Sequence, residues 1–256
     1  MNREERAHLE GVLAIDKPIG WTSHDVVAVA RGVLGERRLG HGGTLDPLAT
    51  GVLPLLVGPA TKFVERLHTA TKVYAAIVRF GSETTTDDRE GEATRSAAPP
   101  GRSQLEGALQ GLRGPIQQIP PAYAALKVDG RRAYSRARAG ETVVLAAREV
   151  HVHRLDVARW SSDDEVVLLV VCSSGTYVRA IARDLGRASG SAAHLAGLRR
   201  LAVGALDVRD AIGIDALRAA GREAATARLR PADDRLLTLD PVYLDGPAAA
   251  LAPETP

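Results

Sequence analysis

Between Leu39 and Gly51 the chain reads Leu-Gly-His-Gly-Gly-Thr-Leu-Asp-Pro-Leu-Ala-Thr-Gly, four glycines set around a polar centre, and no other stretch constrains the fold as much. Glycine frees the backbone and lets a second backbone come close, so the segment reads as a loop able to grip a ligand, followed by an apolar run from Val52 to Gly58. Inside that frame Asp46 stands between Leu45 and Pro47. A bare Leu-Asp-Pro is most simply an aspartate that initiates a turn ahead of proline. With apolar neighbours and little side-chain cover, it is also a place for a partly desolvated carboxylate, which a nearby cation would keep ionised and so nucleophilic.

Around this loop the pattern predicts an α+β protein with a mixed, largely antiparallel central sheet flanked by helices. Residues 11–20 read as a buried strand that turns at Pro18 and Gly20. A helix follows, with Thr22 and Asp25 at capping-box spacing, an apolar face of Val26, Val27, Ala30, Val33 and Leu34, and Gly35 to close it. Further strands are expected at 72–81, 122–128, 148–159 and 165–172, with an Asp129-Gly130 hairpin signal between Leu126 and Tyr134. Helices are expected at 103–111, 132–139, 176–188 and 214–229. The acidic segment 84–91 reads as an exposed loop. Residues 1–230 form the main domain. Residues 231–256 hold five of the 14 prolines and form a tail too short and too broken to be a domain.

At 256 residues and 45% hydrophobic content the chain can bury a sizeable core. It has no apolar run of bilayer length, and its charged start lacks a signal-type stretch, so a soluble cytoplasmic protein is expected. Cys172 is the only cysteine and lies in an apolar run, which reads as a buried structural thiol. There is no His or Cys cluster at metal spacing and no glycine-rich phosphate-binding motif, so neither a metal nor another cofactor is expected. A net charge of +2 does not announce a nucleic-acid binder. Of the 33 basic residues only Lys17, Lys62, Lys72 and Lys127 are lysine, which leaves open whether each marks a need for a compact ammonium or arises by chance. Lys17 is either a solvated strand-end lysine or a group bearing on the Asp46 loop. Arg131, Arg132, Arg136 and Arg138 form a local basic cluster that could meet phosphate. After Ser173-Ser-Gly175, Arg179, Arg183 and Arg187 make a basic stripe on a helix whose other face is apolar. That stripe is either solvated or part of a phosphate site at the helix N-terminus.

The run from Gly40 to Pro54 closely resembles the signature of TruB-type pseudouridine synthases. So do Asp-Lys-Pro-Ile-Gly-Trp-Thr-Ser at 16–23, Lys72-Val-Tyr74, Pro-Pro-Ala-Tyr-Ala-Ala-Leu-Lys at 120–127, Ser-Ser-Gly-Thr-Tyr-Val-Arg at 173–179 and Leu-Arg-Arg-Leu-Ala-Val at 198–203. The motifs stand in the family order and cover roughly residues 11–230. The resemblance implies a cofactor-free isomerase in which Asp46 attacks a flipped uridine, the base rotates, and a bond forms at C5. It gives Tyr74 a stacking role and the C5 proton, and it makes Arg179 the partner of Asp46. By the same resemblance, Tyr177 and Leu198 are expected to line the uracil pocket, and His41 to stack in the RNA where the base has left. Without the resemblance, Tyr74 reads as a sheet-face tyrosine and His41 as an ordinary loop histidine. Asp88, in Thr84-x-Thr86-x-Asp88, is expected to pair with Arg179. The implied substrate is the T-arm of tRNA at position 55, with no obligate protein partner and a monomeric state.

Two other functions fit less well. A non-catalytic RNA-folding protein would not need Asp46, Tyr74 and Arg179 together, and phosphotransfer through an aspartyl phosphate lacks its Asp-x-Asp, since Leu48 holds the second position. Within the family, an RNA-guided subunit would need a further RNA-binding domain. The sequence departs from the fuller family pattern here, because residues 231–256 cannot supply the usual small C-terminal RNA-binding domain.

Overall fold

The computed structural model describes residues 9–123, 127–128, 131–132 and 145–252. The chain divides into two units, one formed by residues up to Tyr74 together with 198–243, the other by 75–197 and the residues from Leu244 on.

In the first unit, β1 (Gly11–Lys17) runs antiparallel to β3 (Ala49–Val57), with Gly11 opposite Val57 and Lys17 opposite Gly51. The short β2 (Leu39–His41) also pairs antiparallel with β3. The final residues of β12 (Ala193–Val203) lie parallel to β3, Leu198 opposite Ala49 and Arg200 opposite Gly51. Both faces of this sheet are covered, which is why β1 and β3 read as nearly unbroken apolar runs. Leu13 and Ile15 point to a core shared with α1 (Ser23–Leu34) and with Leu217 of a later helix. Val12 and Ala14 point to the opposite core, with Leu67, Val203 and Leu236. The capping box of α1 forms as expected: the Thr22 hydroxyl accepts from the Asp25 amide at 3.2 Å, and the Thr22 amide donates to the Asp25 carboxylate at 2.8 Å. Gly35 closes the helix at φ 62°.

The glycine-rich loop is shorter than the sequence implied, because β2 and β3 claim its two ends and leave residues 42–48. Hydrogen bonding to neighbouring strands overrides the local loop signal there. The helix expected at 214–229 spans Ile214–Thr226 and breaks at Gly221, whose φ of 68° no helix interior accommodates. Beyond it, Leu236 and Tyr243 are buried, and the Tyr243 hydroxyl donates to Asp207 at 2.8 Å, so the first half of the proline-rich tail is packed into this unit.

The second unit carries the rest of β4 (Lys72–Phe80) and then, in order across the sheet, β11 (Glu165–Cys172), β10 (Arg148–Trp160) and β7 (Gly114–Gln118). β10 is antiparallel to both of its neighbours. The helices are α3 (Arg102–Gly111) and α4 (Val178–Ala188). Cys172 is fully buried at the end of β11. Residues 127–128 and 131–132 pair as an antiparallel hairpin, Val128 opposite Arg131. Arg132 is therefore in a strand, not at the start of a helix. The remainder of the helix expected at 132–139, Arg136 and Arg138 included, lies outside the described residues, as do 124–126 and the Asp129-Gly130 turn. Among the described residues no helix is long and apolar enough to cross a membrane.

Candidate active site

The Asp46 loop is fastened by backbone contacts that the sequence did not reveal. Ser23, the first residue of α1, donates from its hydroxyl to the Leu45 carbonyl at 3.3 Å and accepts from the Leu45 amide at 3.0 Å. Gly20 donates to the Pro47 carbonyl, and Gly42 to Pro54, each at 2.8 Å. Four anchors in so short a span fix the direction of Asp46, which is half-buried. The motif at 16–23 thus serves the neighbouring motif: its Gly20 and Ser23 hold the carboxylate loop.

Lys17 is fully buried at the end of β1, not solvated. Its ammonium donates to the carbonyls of Pro18 and Trp21 at 2.9 and 2.7 Å. Burial brings its pKa down to about 8, partly offset by the negative charge of Asp46, while Arg200 pushes the same way as burial. A folded pKa below the unfolded value of 10.5 means that between these limits the unfolded chain holds the extra proton, so stability rises with pH across that window. Lys17→Met should abolish this rise, worth up to about 3 kcal/mol. Urea midpoints of both proteins between about pH 7 and pH 10.5 check it, since groups common to both cancel in the difference.

Tyr74, near the start of β4, is 9% exposed. Arg200, 2% exposed, interacts electrostatically with the Tyr74 phenol. Arg200 also donates to the Val52 carbonyl at 2.7 Å and the Gly43 carbonyl at 3.0 Å, one on each side of Asp46. Burial lowers the Arg200 pKa, and Tyr74 opposes that shift. His41 packs edge-on against the His24 ring, centroids 5.7 Å apart, and its Nδ1 has no hydrogen-bond partner among the described residues. Burial lowers its pKa, with the charges of His24, Arg200 and His68 adding to the effect. Leu198 is buried opposite Ala49. Lys17, His41, Asp46, Tyr74 and Leu198 thus belong to one unit, with Arg200 among them.

The second unit holds Arg179, Tyr177 and Asp88. Arg179 meets Asp88 at 3.2 Å, and both are buried. The threonines of the Thr84-x-Thr86-x-Asp88 pattern have a defined task. Thr86 donates to the Asp88 carboxylate at 2.6 Å, and Thr84 to the Asp88 carbonyl at 2.6 Å. The basic stripe of α4 is engaged by carboxylates, with Arg179 and Arg183 buried and Arg187 exposed to solvent. Arg183 pairs with Asp87 at 2.7 Å, and Arg187 with Glu83 at 2.7 Å. The acidic segment read as an exposed loop is half interior, since Asp87 and Asp88 are buried with their arginines and Asp87 adopts a φ of 60°. Burial raises the Asp87 pKa against the pull of Arg183. The matching of charges 90 or more residues apart is invisible to a local reading. Tyr177 caps α4, its backbone held from both sides by the buried Gln118 (3.1 and 2.8 Å) and its ring covered by the Arg148 guanidinium at 4.5 Å. Gln118 and Arg148 carry no sequence signal of this role.

The structure resembles a solved Cbf5-Nop10-Gar1 complex over 88% of this chain and 61% of that one, with a TM-score of 0.67 and 27% identity. The fold is that of a pseudouridine synthase. A family model described as "TruB family pseudouridylate synthase (N terminal domain)" matches residues 31–178. Two relatives called tRNA pseudouridine synthase B, from Ralstonia nicotianae and Thermobifida fusca, are 46% and 50% identical over 94% and 82% of this chain, covering 78% and 75% of their own lengths. The chain belongs to the TruB family of pseudouridylate synthases.

Proposed function

We propose that the protein converts uridine to pseudouridine in tRNA, at position 55 of the T-loop, with Asp46 as the attacking carboxylate. The observation that carries this reading is the Asp46 loop, in which a half-buried aspartate stands on a backbone held by Ser23, Gly20 and Arg200. The relatives' shared name supports tRNA as substrate. Asp46 attacks the extruded nucleotide, the glycosidic bond breaks, the uracil turns, and C5 joins C1′. Tyr74 stacks on the base and takes the C5 proton. Arg179 is the partner of Asp46 in the family chemistry, while Tyr177 and Leu198 line the base. His41 stacks in the gap left in the RNA. Lys17 supports the loop. No cofactor enters this chemistry, and a cytoplasmic monomer acting without a protein partner completes the reading.

The test is tritium release from C5-labelled uridine in tRNA transcripts. Release from the wild-type transcript and none from one with cytidine at position 55 is the expected pair. Equal release from both would move the target elsewhere.

Asp88 holds Arg179 by an ion pair, so Asp88→Asn should lower kcat roughly tenfold or more and change tRNA affinity by less than about threefold. Single-turnover rates and filter-binding curves separate the two. Equal losses in both would count against a role for Asp88 through Arg179.

A further inference from the structure

We propose that Arg148 is a positioning residue for the reaction, acting through Tyr177: its guanidinium lies over the phenol ring and fixes the pose in which that ring meets the base. This role rests on the assignment of Tyr177 to the base pocket. All residues concerned belong to the second unit.

Arg148 on β10 stands directly opposite Gln118 on β7. Residues opposite one another in an antiparallel pair project to the same face of the sheet, so the two side chains rise together, and both end on Tyr177. Gln118 is fully buried and takes both peptide groups of the tyrosine: the Tyr177 amide donates to Oε1 at 2.8 Å, and the Tyr177 carbonyl accepts from Nε2 at 3.1 Å. The same carbonyl accepts from the Ile181 amide of α4 at 3.1 Å. With its backbone groups taken, Tyr177 is left its side chain to offer a base. These bonds hold the backbone and leave the ring free to turn about its own torsions. Arg148 supplies the missing restraint, its Cζ 4.5 Å from the ring centroid, where the negative face of the phenol attracts a cation.

The arginine is itself rooted, because its Nη2 donates to the Gly175 carbonyl two residues before Tyr177. Bracing that turn is not enough to explain it. The turn is already tied to β10 at Ser173, whose amide donates to the His151 carbonyl at 2.8 Å and whose hydroxyl accepts from the His151 amide at 2.9 Å. Meanwhile the Arg148 Nε is buried with no hydrogen-bond partner among the described residues. A side chain placed only to brace backbone would use that donor, since a buried N–H left unmet is costly. Here it is given up, and what the guanidinium gains in that position is the ring.

The experiment measures single-turnover tritium release from C5-labelled tRNA and filter binding of the same tRNA. The proteins are wild type, Arg148→Gln, Arg148→Lys, Tyr177→Phe, Tyr177→Leu and each arginine change in each tyrosine background. Arg148→Gln keeps a donor for the Gly175 carbonyl and loses the cation. It should slow release roughly tenfold and leave tRNA affinity within about threefold. Arg148→Lys keeps the cation without the flat head, so its loss should be only about threefold. Tyr177→Phe keeps the ring, and the tenfold effect of Arg148→Gln should persist in it. In Tyr177→Leu the ring is gone, and neither arginine change should cost more than about 1.5-fold. Persistence of the tenfold loss in Tyr177→Leu, its disappearance in Tyr177→Phe, or a loss confined to tRNA affinity overturns the proposal. Should the glutamine variant not fold, the same two comparisons made with Arg148→Lys decide alone. If Tyr177→Leu by itself releases tritium at the wild-type rate, the assignment of Tyr177 fails and the role of Arg148 falls with it, a result distinct from additivity with a tyrosine that matters.

Discussion

Asp46→Asn is expected to lower tritium release from C5-labelled uridine in tRNA by a factor on the order of 10⁴ or more, with tRNA affinity within about threefold of wild type. The amide matches the carboxylate in shape, so Ser23 and Gly20 should hold the loop unchanged; both act on Leu45 and Pro47, not on the Asp46 side chain. What is lost is the negative oxygen that forms the covalent bond to the sugar. The protein should melt within a few degrees of wild type, because Asp46 is half-buried and its loop is carried by backbone contacts. A variant that keeps a tenth of the wild-type rate would remove Asp46 from its role.

Gly51→Ala should be among the most damaging single substitutions for stability, costing about 3 kcal/mol and lowering the melting temperature by roughly 10 °C. Gly51 has a φ of 99°, which alanine adopts only with strain, and its Cβ would stand 2.1 Å from one Arg200 backbone atom and 2.7 Å from another. Relief requires β3 and β12 to part where Arg200 reaches over the Asp46 loop, so activity should fall as well. Gly20→Ala separates the two causes. Gly20 has a φ of 79° but nothing within 4 Å of its would-be Cβ, so only backbone strain applies, about 1 kcal/mol. Equal losses in the two variants, read by thermal denaturation, would show that the close approach of the strands at Gly51 is not what matters.

Local signals were legible where a few adjacent residues settle the outcome. The Thr22 and Asp25 box, the Gly35 cap, strands at 72–80 and 165–172 and the helix at 178–188 follow from side chains within one turn or one strand of each other. The Asp46 loop was legible through its glycines, although β2 and β3 take its ends. The arginine stripe of α4 was legible only in part, exposed at Arg187 but buried at Arg179 and Arg183, because its periodicity gives the face and says nothing of what lies opposite. Residues 84–91 look solvent-loving for the same reason: a carboxylate is buried only when a distant cation meets it.

The sequence by itself determined the family motifs, the residue types at the reaction centre and the apolar pattern of the strands, since these depend on composition and short spacing. Tertiary structure alone decided that Lys17 is buried with its pKa brought down to about 8, that Asp88 and Arg179 form an interior pair, and that the buried Arg200 donates to backbone carbonyls on both sides of Asp46. Each of these rests on desolvation and on contacts between residues far apart in the chain. Both appear only when the fold closes over them.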